Sequence, residues 1–231
     1  LDFTIALVAA SLITIIYTKS QSGLAATFIV LLLSLFVYAR KTKYIYLIIP
    51  ALLLGIFFKK DFVLRTLSSL NNINPLYSNS LDIAKKENET RIGGSDSMII
   101  RRVVWDGAIK LGLSKPFFGN GIETFGYSYY WLRPIAHNYT SETDFLYNKA
   151  HNEYLNFFAN SGFFGLLSYL FLILSILKIL LSAPATSHQS LSTPLMLGFA
   201  SILITNFFSF SVVNIALFFF LFPAIHLSNS N

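Results

Sequence analysis

The chain has 231 residues, of which 54% are apolar and 12% are charged, and its net charge is +6. A soluble domain carries about 25% charged residues, so this chain cannot cover its apolar side chains with polar ones, and lipid is the expected surrounding. It has no cysteine, which excludes disulfides and cysteine-ligated metals, and its basic residues form no long run of the kind that binds nucleic acid.

Six apolar segments are candidates for helices that cross a membrane. Such a helix needs about 20 mainly apolar residues, and interfacial tyrosines at the segment ends extend the shorter runs. The segments cover residues 3–17, 24–39, 44–58, 154–181, 191–210 and 212–227. The last two meet at Ser209-Phe210-Ser211, which we interpret as the turn of a helical hairpin. The predicted fold class is therefore all-α, a polytopic transmembrane helical bundle of about six spans.

The connections between these segments predict how the chain crosses the membrane. Arg40, Lys41 and Lys43 concentrate positive charge between the second and third segments, which places that short loop in the cytoplasm. The chain then divides into three spans in 1–58, one large extracytoplasmic loop in 59–150, and three spans in 151–231. Because it begins with Leu1 and shows no signal-peptide pattern, we expect it to be the C-terminal part of a longer protein.

The large loop is too long for a structureless connection and is expected to be partly helical. Ser95 or Asp96 can cap a helix over residues 97–111, with Gly112 as its C-terminal stop. A stretch with residues that break regular structure follows, at Pro116, Gly119 and Gly121.

Three elements that this topology places on the outer face carry residues suited to transfer chemistry. Imidazole has the unperturbed pKa nearest neutrality, and His151 stands with Asn152 where the polar loop meets the fourth apolar segment. Arginine presents a fork of donors that matches phosphate oxygens, and Arg101 and Arg102 lie on the predicted loop helix. The third element is the turn between the first two segments, which contains Lys19 and Gln21. Arginine beside histidine at a lipid interface suits a phosphorylated lipid and a hydroxyl that must lose its proton.

The order and spacing of these residues resemble those of a known family. His151-Asn152, nine residues and then Gly162-Phe163-Phe164-Gly165 are similar to the H-N-x9-G-x-x-G pattern of bacterial O-antigen ligases and related polysaccharide polymerases. Arg101-x3-Trp105 resembles the R-x3-L/W element of that family, and residues 115–125 resemble its P-L-F-G-x-G-x-x-T-F element. The resemblance covers roughly residues 1–225.

The resemblance implies a metal-independent, inverting membrane glycosyltransferase of lipopolysaccharide or exopolysaccharide assembly in the bacterial inner membrane. Its donor would be a glycan on undecaprenyl diphosphate and its acceptor a hydroxyl of a glycan or lipid, with no cofactor. His151 would be the base, and the substrate would be bound by Arg101, Arg102, Asn152, Gln21 and Lys19. Trp105 and the motif residues Pro116, Gly119, Gly121, Gly162 and Gly165 would be structural. Membrane lipid and other polysaccharide-assembly proteins are further expected partners, and nucleic acid is not.

Within this family we expect a polymerase first and an O-antigen ligase second. Ligases often have arginine in the turn where this chain has Gln21, which donates hydrogen bonds but carries no charge. A ligase that acts on lipid A core or on protein stays open as an alternative, and so does a non-enzymatic transporter or assembly partner for the same lipid. The apolar segments contain almost no ionisable residue apart from Lys178, which favours chemistry at the surface over a transmembrane pathway.

Simpler interpretations stand beside these. An interfacial histidine is often only solvated among headgroups, and a pair of charges on a helix is usually a solvated face. Gly162 and Gly165 are compatible with helix packing as well as with the motif. His137 also precedes an asparagine but lacks the glycine spacing, so we interpret it as a loop histidine. His188 and His226 are expected to be structural.

Overall fold

The described part of the chain is helical throughout. The computed structural model describes residues 21–38, 80–90, 97–182 and 189–228, together with six positions between 10 and 17. The elements are, in chain order, α1 (Gln21–Tyr38), α2 (Ser80–Thr90), α3 (Ser97–Ser114), α4 (Phe125–Leu132), a 3₁₀ helix (Ile135–Tyr139), α5 (Glu153–Leu181), α6 (Gln189–Phe208) and α7 (Val213–Ser228). These residues contain no strand, which confirms the all-α class.

Within the described residues, the helices that are long and apolar enough to cross a membrane lie in the C-terminal third. Two described helices are long and apolar enough, Glu153–Leu181 and Leu191–Phe208, and the apolar α7 is shorter. The predicted hairpin is confirmed, since α6 ends at Phe208 and α7 begins at Val213.

In the N-terminal part, α1 matches the predicted segment 24–39, and the six described positions of segment 3–17 are helical. Most of segment 3–17, the whole of segment 44–58 and the basic loop 40–43 lie outside the described residues. The count of six spans and the orientation in the membrane therefore stay predictions.

The second half of α5 packs against α6 and α7 as an apolar bundle. Tyr169 in α5 contacts Asn206 near the end of α6, whereas the connection between the two helices leaves from the other end of α5, so the helices run antiparallel. The buried core of this bundle consists of Ile173, Ile176, Leu180, Leu195, Phe199, Ile202 and Phe219. Consequently the start of α5 and the turn between α6 and α7 lie at the same end of the bundle.

A break at Gly162 divides α5 into two helical halves. Its φ of 64° and ψ of −162° are far from helical values. In a straight helix Tyr154 and Tyr169 would lie about 22 Å apart along the axis. Their rings lie 5.9 Å apart instead, and Phe157 stacks on Tyr169 at 4.2 Å. The first half of α5 is therefore bent back toward the second, which the continuous apolar run in the sequence did not predict.

The loop residues form a second core, which joins α3, α4 and the first half of α5. Its buried side chains are Val104, Ala108, Leu111, Phe125, Tyr129, Tyr147, Ala150 and Ala159. The helix predicted from residue 97 is confirmed, but the stop at Gly112 is wrong because α3 continues to Ser114. Gly112 is buried, and a Cβ there would overlap the ring of Phe158, so this glycine permits close packing of α3 on α5. The proposed caps Ser95 and Asp96 lie outside the described residues.

Candidate functional site

The backbone at His151 is held in an unusual conformation by the start of α5. His151 has a φ of 52°, in the left-handed region that non-glycine residues rarely adopt. On one side, the Asn156 side chain accepts a hydrogen bond from the Ala150 N–H at 3.3 Å. On the other side, the side chain of the buried Asn152 accepts from Leu155 N–H at 3.0 Å and thus caps α5. These bonds fix the main chain on both sides of the histidine.

Trp105 supplies a third support for the same residue. Its indole Nε1–H donates to the carbonyl oxygen of His151 at 3.3 Å. The indole ring also packs edge-on against Phe207 near the end of α6, with centroids 5.5 Å apart. Trp105 therefore ties α3 to the histidine backbone and to the bundle, which explains why an arginine four residues earlier on α3 is near the imidazole.

The imidazole of His151 contacts two aromatic rings. Tyr147 and Phe210 each contact it edge to face, with ring centroids 5.4 Å apart in both cases. Burial lowers the pKa of His151, the positive charge of Arg101 lowers it further, and the carboxylate of Glu142 opposes both. Because the pKa is lowered from about 6.5, the imidazole is neutral at neutral pH and can accept a proton.

Arg101 is anchored to the end of the apolar bundle. Its Nε–H donates to the carbonyl oxygen of Phe208 at 2.9 Å, and Nη1 donates to the carbonyl oxygen and the hydroxyl of Ser97. The guanidinium therefore lies where α3, the α6 end and the histidine meet. For Arg102, burial lowers the pKa of the guanidinium, and the charge of Asp106 opposes this effect.

A buried polar network supports the site from the side of the 3₁₀ helix. The Tyr147 hydroxyl donates to the Glu142 carboxylate, and His137 bridges the Tyr129 hydroxyl at 3.1 Å and the Glu142 carbonyl oxygen at 2.8 Å. His137 is 1% exposed, so this histidine of the large loop is a buried core residue of the 3₁₀ helix. His226 is likewise buried, in α7.

The proline and glycine motifs of residues 116–121 and 162–165 meet at the break in α5. At a helix interruption the backbone groups that lose their intrahelical partners need others. Here Phe163 N–H donates to Pro116 O at 2.6 Å, Phe164 N–H to Phe117 O at 3.2 Å, and Gly121 N–H to Asn160 O at 2.8 Å. The loop thus satisfies the backbone groups that the break exposes.

Glycine is required where these two segments touch. A Cβ on Gly162 would lie 2.6 Å from Pro116 O, and one on Gly119 would overlap the backbone of Asn160. Both residues also have positive φ, as does Gly121. A Cβ on Gly165 would overlap the side chain of Ser161 across the bend. The glycine pattern of the sequence therefore corresponds to a joint between loop and helix.

The structure brings part of the predicted site together. His151, Asn152, Arg101 and Trp105 form one cluster, and Asn152 is seen in it as a helix cap. Lys19 lies outside the described residues, and Gln21 begins α1 with a side chain that is not described. Within the described residues no three His, Asp or Glu side chains are grouped so that they could hold a metal ion.

Several contacts of the site were missed from the sequence. They come from the end of α6, the α6–α7 turn and the loop just before α5, and the residues are Phe208, Phe210 and Tyr147. The one available signal was topological, since the predicted hairpin places the turn on the same membrane face as His151.

Comparison with known proteins identifies the family. The family model described as O-antigen ligase matches residues 6–170, which is more than half of the chain and includes α3, the 116–121 loop, His151 and both motif glycines of α5. No curated protein sequence and no solved structure matches the chain.

Proposed function

Since this chain belongs to the O-antigen ligase family, a family of membrane glycosyltransferases of the ligase and polymerase type, we propose that it transfers a glycan from undecaprenyl diphosphate to an acceptor hydroxyl. The observation that carries the proposal is the imidazole of His151 beside the anchored guanidinium of Arg101, where burial and the arginine charge both lower the pKa of the imidazole. A base and an anion-binding group are the two functions that such a transfer requires.

In the proposed step, Nδ1 or Nε2 of His151 accepts the proton of the acceptor hydroxyl while its oxygen attacks the anomeric carbon. The bond from that carbon to the diphosphate oxygen breaks, and the electron pair leaves with the diphosphate. Arg101 stabilises the negative charge that develops on this leaving group. One displacement on one face of the sugar inverts the anomeric configuration, and no metal takes part in the proposed step.

Arg101 and His151 both lie at the same end of the bundle. Phe208 and Phe210 in the α6–α7 region contact Arg101 and His151, so the site lies at the boundary between the apolar helices and the loop residues. A polyprenyl donor keeps its tail in lipid and its diphosphate at the surface, which suits this boundary. We place this end on the outer face of the bacterial inner membrane, with the loop 59–150 periplasmic or extracellular and the chain crossing the membrane several times.

For the acceptor, a growing glycan is proposed first, which makes the chain a polymerase. Gln21 carries no charge where ligases often have arginine. The second candidate is an O-antigen ligase, because that is the description of the matching family model. Arg102, Asn152, Gln21 and Lys19 are proposed to bind substrate alongside Arg101, and other polysaccharide-assembly proteins are proposed partners.

The test is complementation of a deletion host with the full-length protein and its variants. His151→Ala is expected to abolish the polysaccharide product while the amount of protein in the membrane stays normal. Asn148→Ala is the matched control, because Asn148 is exposed three residues earlier in the same loop and should leave the product unchanged. A normal product from His151→Ala would show that His151 is not the base. Loss of long chains alone indicates a polymerase, and loss of all attached chains indicates a ligase.

A further inference from the structure

Residues 116–132 contain many aromatic side chains that the folded chain leaves uncovered. The stretch carries a single charged residue, Glu123, and the carboxylate of Glu123 pairs with Lys149 at 2.5 Å. Six large apolar side chains in it are more than half exposed, and together they form what we call the exposed aromatic patch: Phe117, Phe118, Ile122, Tyr127, Tyr130 and Trp131. An uncovered surface of this kind marks contact with another protein or with a membrane.

The two faces of α4 show that the exposure is not a sign of a loosely attached helix. Phe125 and Tyr129, four residues apart, are 0% and 1% exposed and pack in the loop core. Tyr127 and Trp131, also four residues apart, are 80% and 81% exposed. One face of α4 is thus fixed to α3, and the opposite face presents aromatic rings outward.

Two rings of the exposed aromatic patch, Phe117 and Phe118, lie against α5. The rings of Phe117 and Phe118 lie 6.3 and 5.3 Å from that of Phe164, which follows the break in α5. Beyond Phe164, the exposed side chains of α5 are apolar apart from those of Ser168 and Lys178, and the exposed Leu167 and Phe171 lie on successive turns. Because Glu153–Leu181 is a candidate membrane span by length and composition, Phe117 and Phe118 lie beside the exposed apolar surface of a helix suited to crossing a membrane.

We propose that the exposed aromatic patch lies in the outer leaflet, with α4 as an interfacial helix whose outward face is among the lipid headgroups and the first acyl carbons. Tyrosine and tryptophan have an apolar ring and a polar group, and both are enriched at this depth. Lipid fits the patch better than a protein partner, because Phe117 and Phe118 contact Phe164 at the start of the exposed apolar surface of a candidate membrane span.

This location would hold the site near the donor. The 116–121 loop is hydrogen-bonded to the break in α5, and the first half of α5 leads back to His151. If the proposed glycosyl transfer is correct, anchoring α4 in the leaflet keeps His151 and Arg101 at the depth of the diphosphate. The membrane contact itself does not depend on that function and is tested separately from it.

The two tryptophans of this chain permit a direct test. Trp131 is in the patch and Trp105 is buried, so Trp105→Phe and Trp131→Phe each leave a single reporter in the 231-residue chain. Both variants are reconstituted into phosphatidylcholine vesicles whose acyl chains are brominated near the headgroup or near the terminal methyl. We expect shallow bromines to reduce Trp131 emission roughly twofold, more than deep bromines do, as for an interfacial ring. Trp105 should be quenched by neither lipid.

Iodide in the aqueous phase supplies the opposing measurement. Strong quenching of Trp131 by iodide without quenching by bromolipid would overturn the proposal and leave the patch in water. Protection of Trp131 from both quenchers would also overturn it, since a protein would then cover the patch.

The absence of cysteine allows a second test that leaves Trp105 in place. Spin labels are attached to Tyr127→Cys and, as the matched control, to Glu89→Cys on the charged helix α2. Because oxygen concentrates in lipid and a nickel chelate stays in water, the label at 127 should collide mainly with oxygen and the label at 89 mainly with nickel. Equal nickel accessibility at both positions would contradict an interfacial α4.

Discussion

Replacing Gly162 by alanine tests whether the contact between the 116–121 loop and the break in α5 requires glycine at this position. The residue has φ 64° and ψ −162°, a region that is essentially restricted to glycine. Forcing alanine into such a conformation costs about 1–3 kcal/mol. In addition, the new Cβ would lie 2.6 Å from Pro116 O, so the loop must move away.

The size of the effect follows from what the loop loses when it moves. Two hydrogen bonds reach it from the residues after Gly162, Phe163 N–H to Pro116 O and Phe164 N–H to Phe117 O. Each contributes about 0.5–1.5 kcal/mol to stability. Together with the backbone strain, the expected loss for Gly162→Ala is about 2–6 kcal/mol in the free energy of unfolding.

The assay is thermal unfolding of the purified protein in detergent or nanodiscs, alongside Gly126→Ala as the matched control. Gly126 has ordinary helical geometry in α4, and a Cβ there would lie 3.4 Å from Tyr147 O, an ordinary contact. Alanine is favoured over glycine inside a helix, so the control should be neutral or slightly more stable. If Gly162→Ala has the same melting temperature as Gly126→Ala, the joint between the loop and α5 does not require glycine at position 162.

Gly119→Ala should also destabilise the protein. Combining it with Gly162→Ala should add little further destabilisation, because both substitutions disrupt the same contact between the loop and α5.

Two further predictions concern the polar groups around the base. Arg101→Gln should raise the pKa of His151 and Glu142→Gln should lower it, because Arg101 lowers and Glu142 raises that pKa in the folded protein. NMR titration of histidine-labelled protein measures both shifts without requiring activity, and shifts of the same sign in the two variants would contradict the arrangement. His137→Ala should lower the yield and melting temperature of the protein, because it leaves buried hydrogen-bonding partners unsatisfied. An unchanged melting temperature would show that the histidine is not a core residue.

Much of the fold could be predicted from apolar periodicity, and the break in α5 could not. The helix beginning at residue 97, the long apolar run after Glu153 and the hairpin turn at Ser209 were all predicted from the sequence. Gly162 stands inside that apolar run, where a glycine fits helix packing as well as a break. The break is favoured over a continuous helix by hydrogen bonds between the residues around Gly162 and residues 116–121, which are distant in the sequence.

Gly112 illustrates the same ambiguity with the opposite outcome. It follows a run of helical spacing, where glycine commonly ends a helix, yet α3 continues past it to Ser114. The reason is the ring of Phe158 on α5, which occupies the space that a Cβ at residue 112 would need. Local sequence could not distinguish a stop from a close contact between two helices.

For the site, residues on one face of one element could be predicted, and residues that converge from several elements could not. Arg101 and Trp105 are one helical turn apart, so their joint approach to His151 follows once α3 packs on α5. Tyr147 and Phe210 both contact the imidazole and come from different segments. Nothing in the sequence around either aromatic residue indicates this pairing, because it depends on how the loop core meets the α6–α7 turn.

The coupling between Arg101 and His151 leads to a prediction about the working enzyme. The guanidinium charge lowers the pKa of His151 in the free protein, and the acidic limb of the pH profile reports this pKa because activity is lost as the imidazole becomes protonated. If Arg101 binds the donor diphosphate, the bound anion offsets that charge, and the pKa of His151 should rise when the donor binds. Donor binding would then make the base stronger at the moment it is needed.

The profile of kcat/KM for the donor reports the free enzyme, whereas kcat reports the complex. The acidic limb of kcat should therefore lie at a higher pH than that of kcat/KM. Arg101→Lys retains the charge and should preserve the separation, while Arg101→Gln should abolish it in the rate that remains. If the two limbs coincide in the unmodified enzyme, the diphosphate does not bind at Arg101, and the base and the anion site are independent.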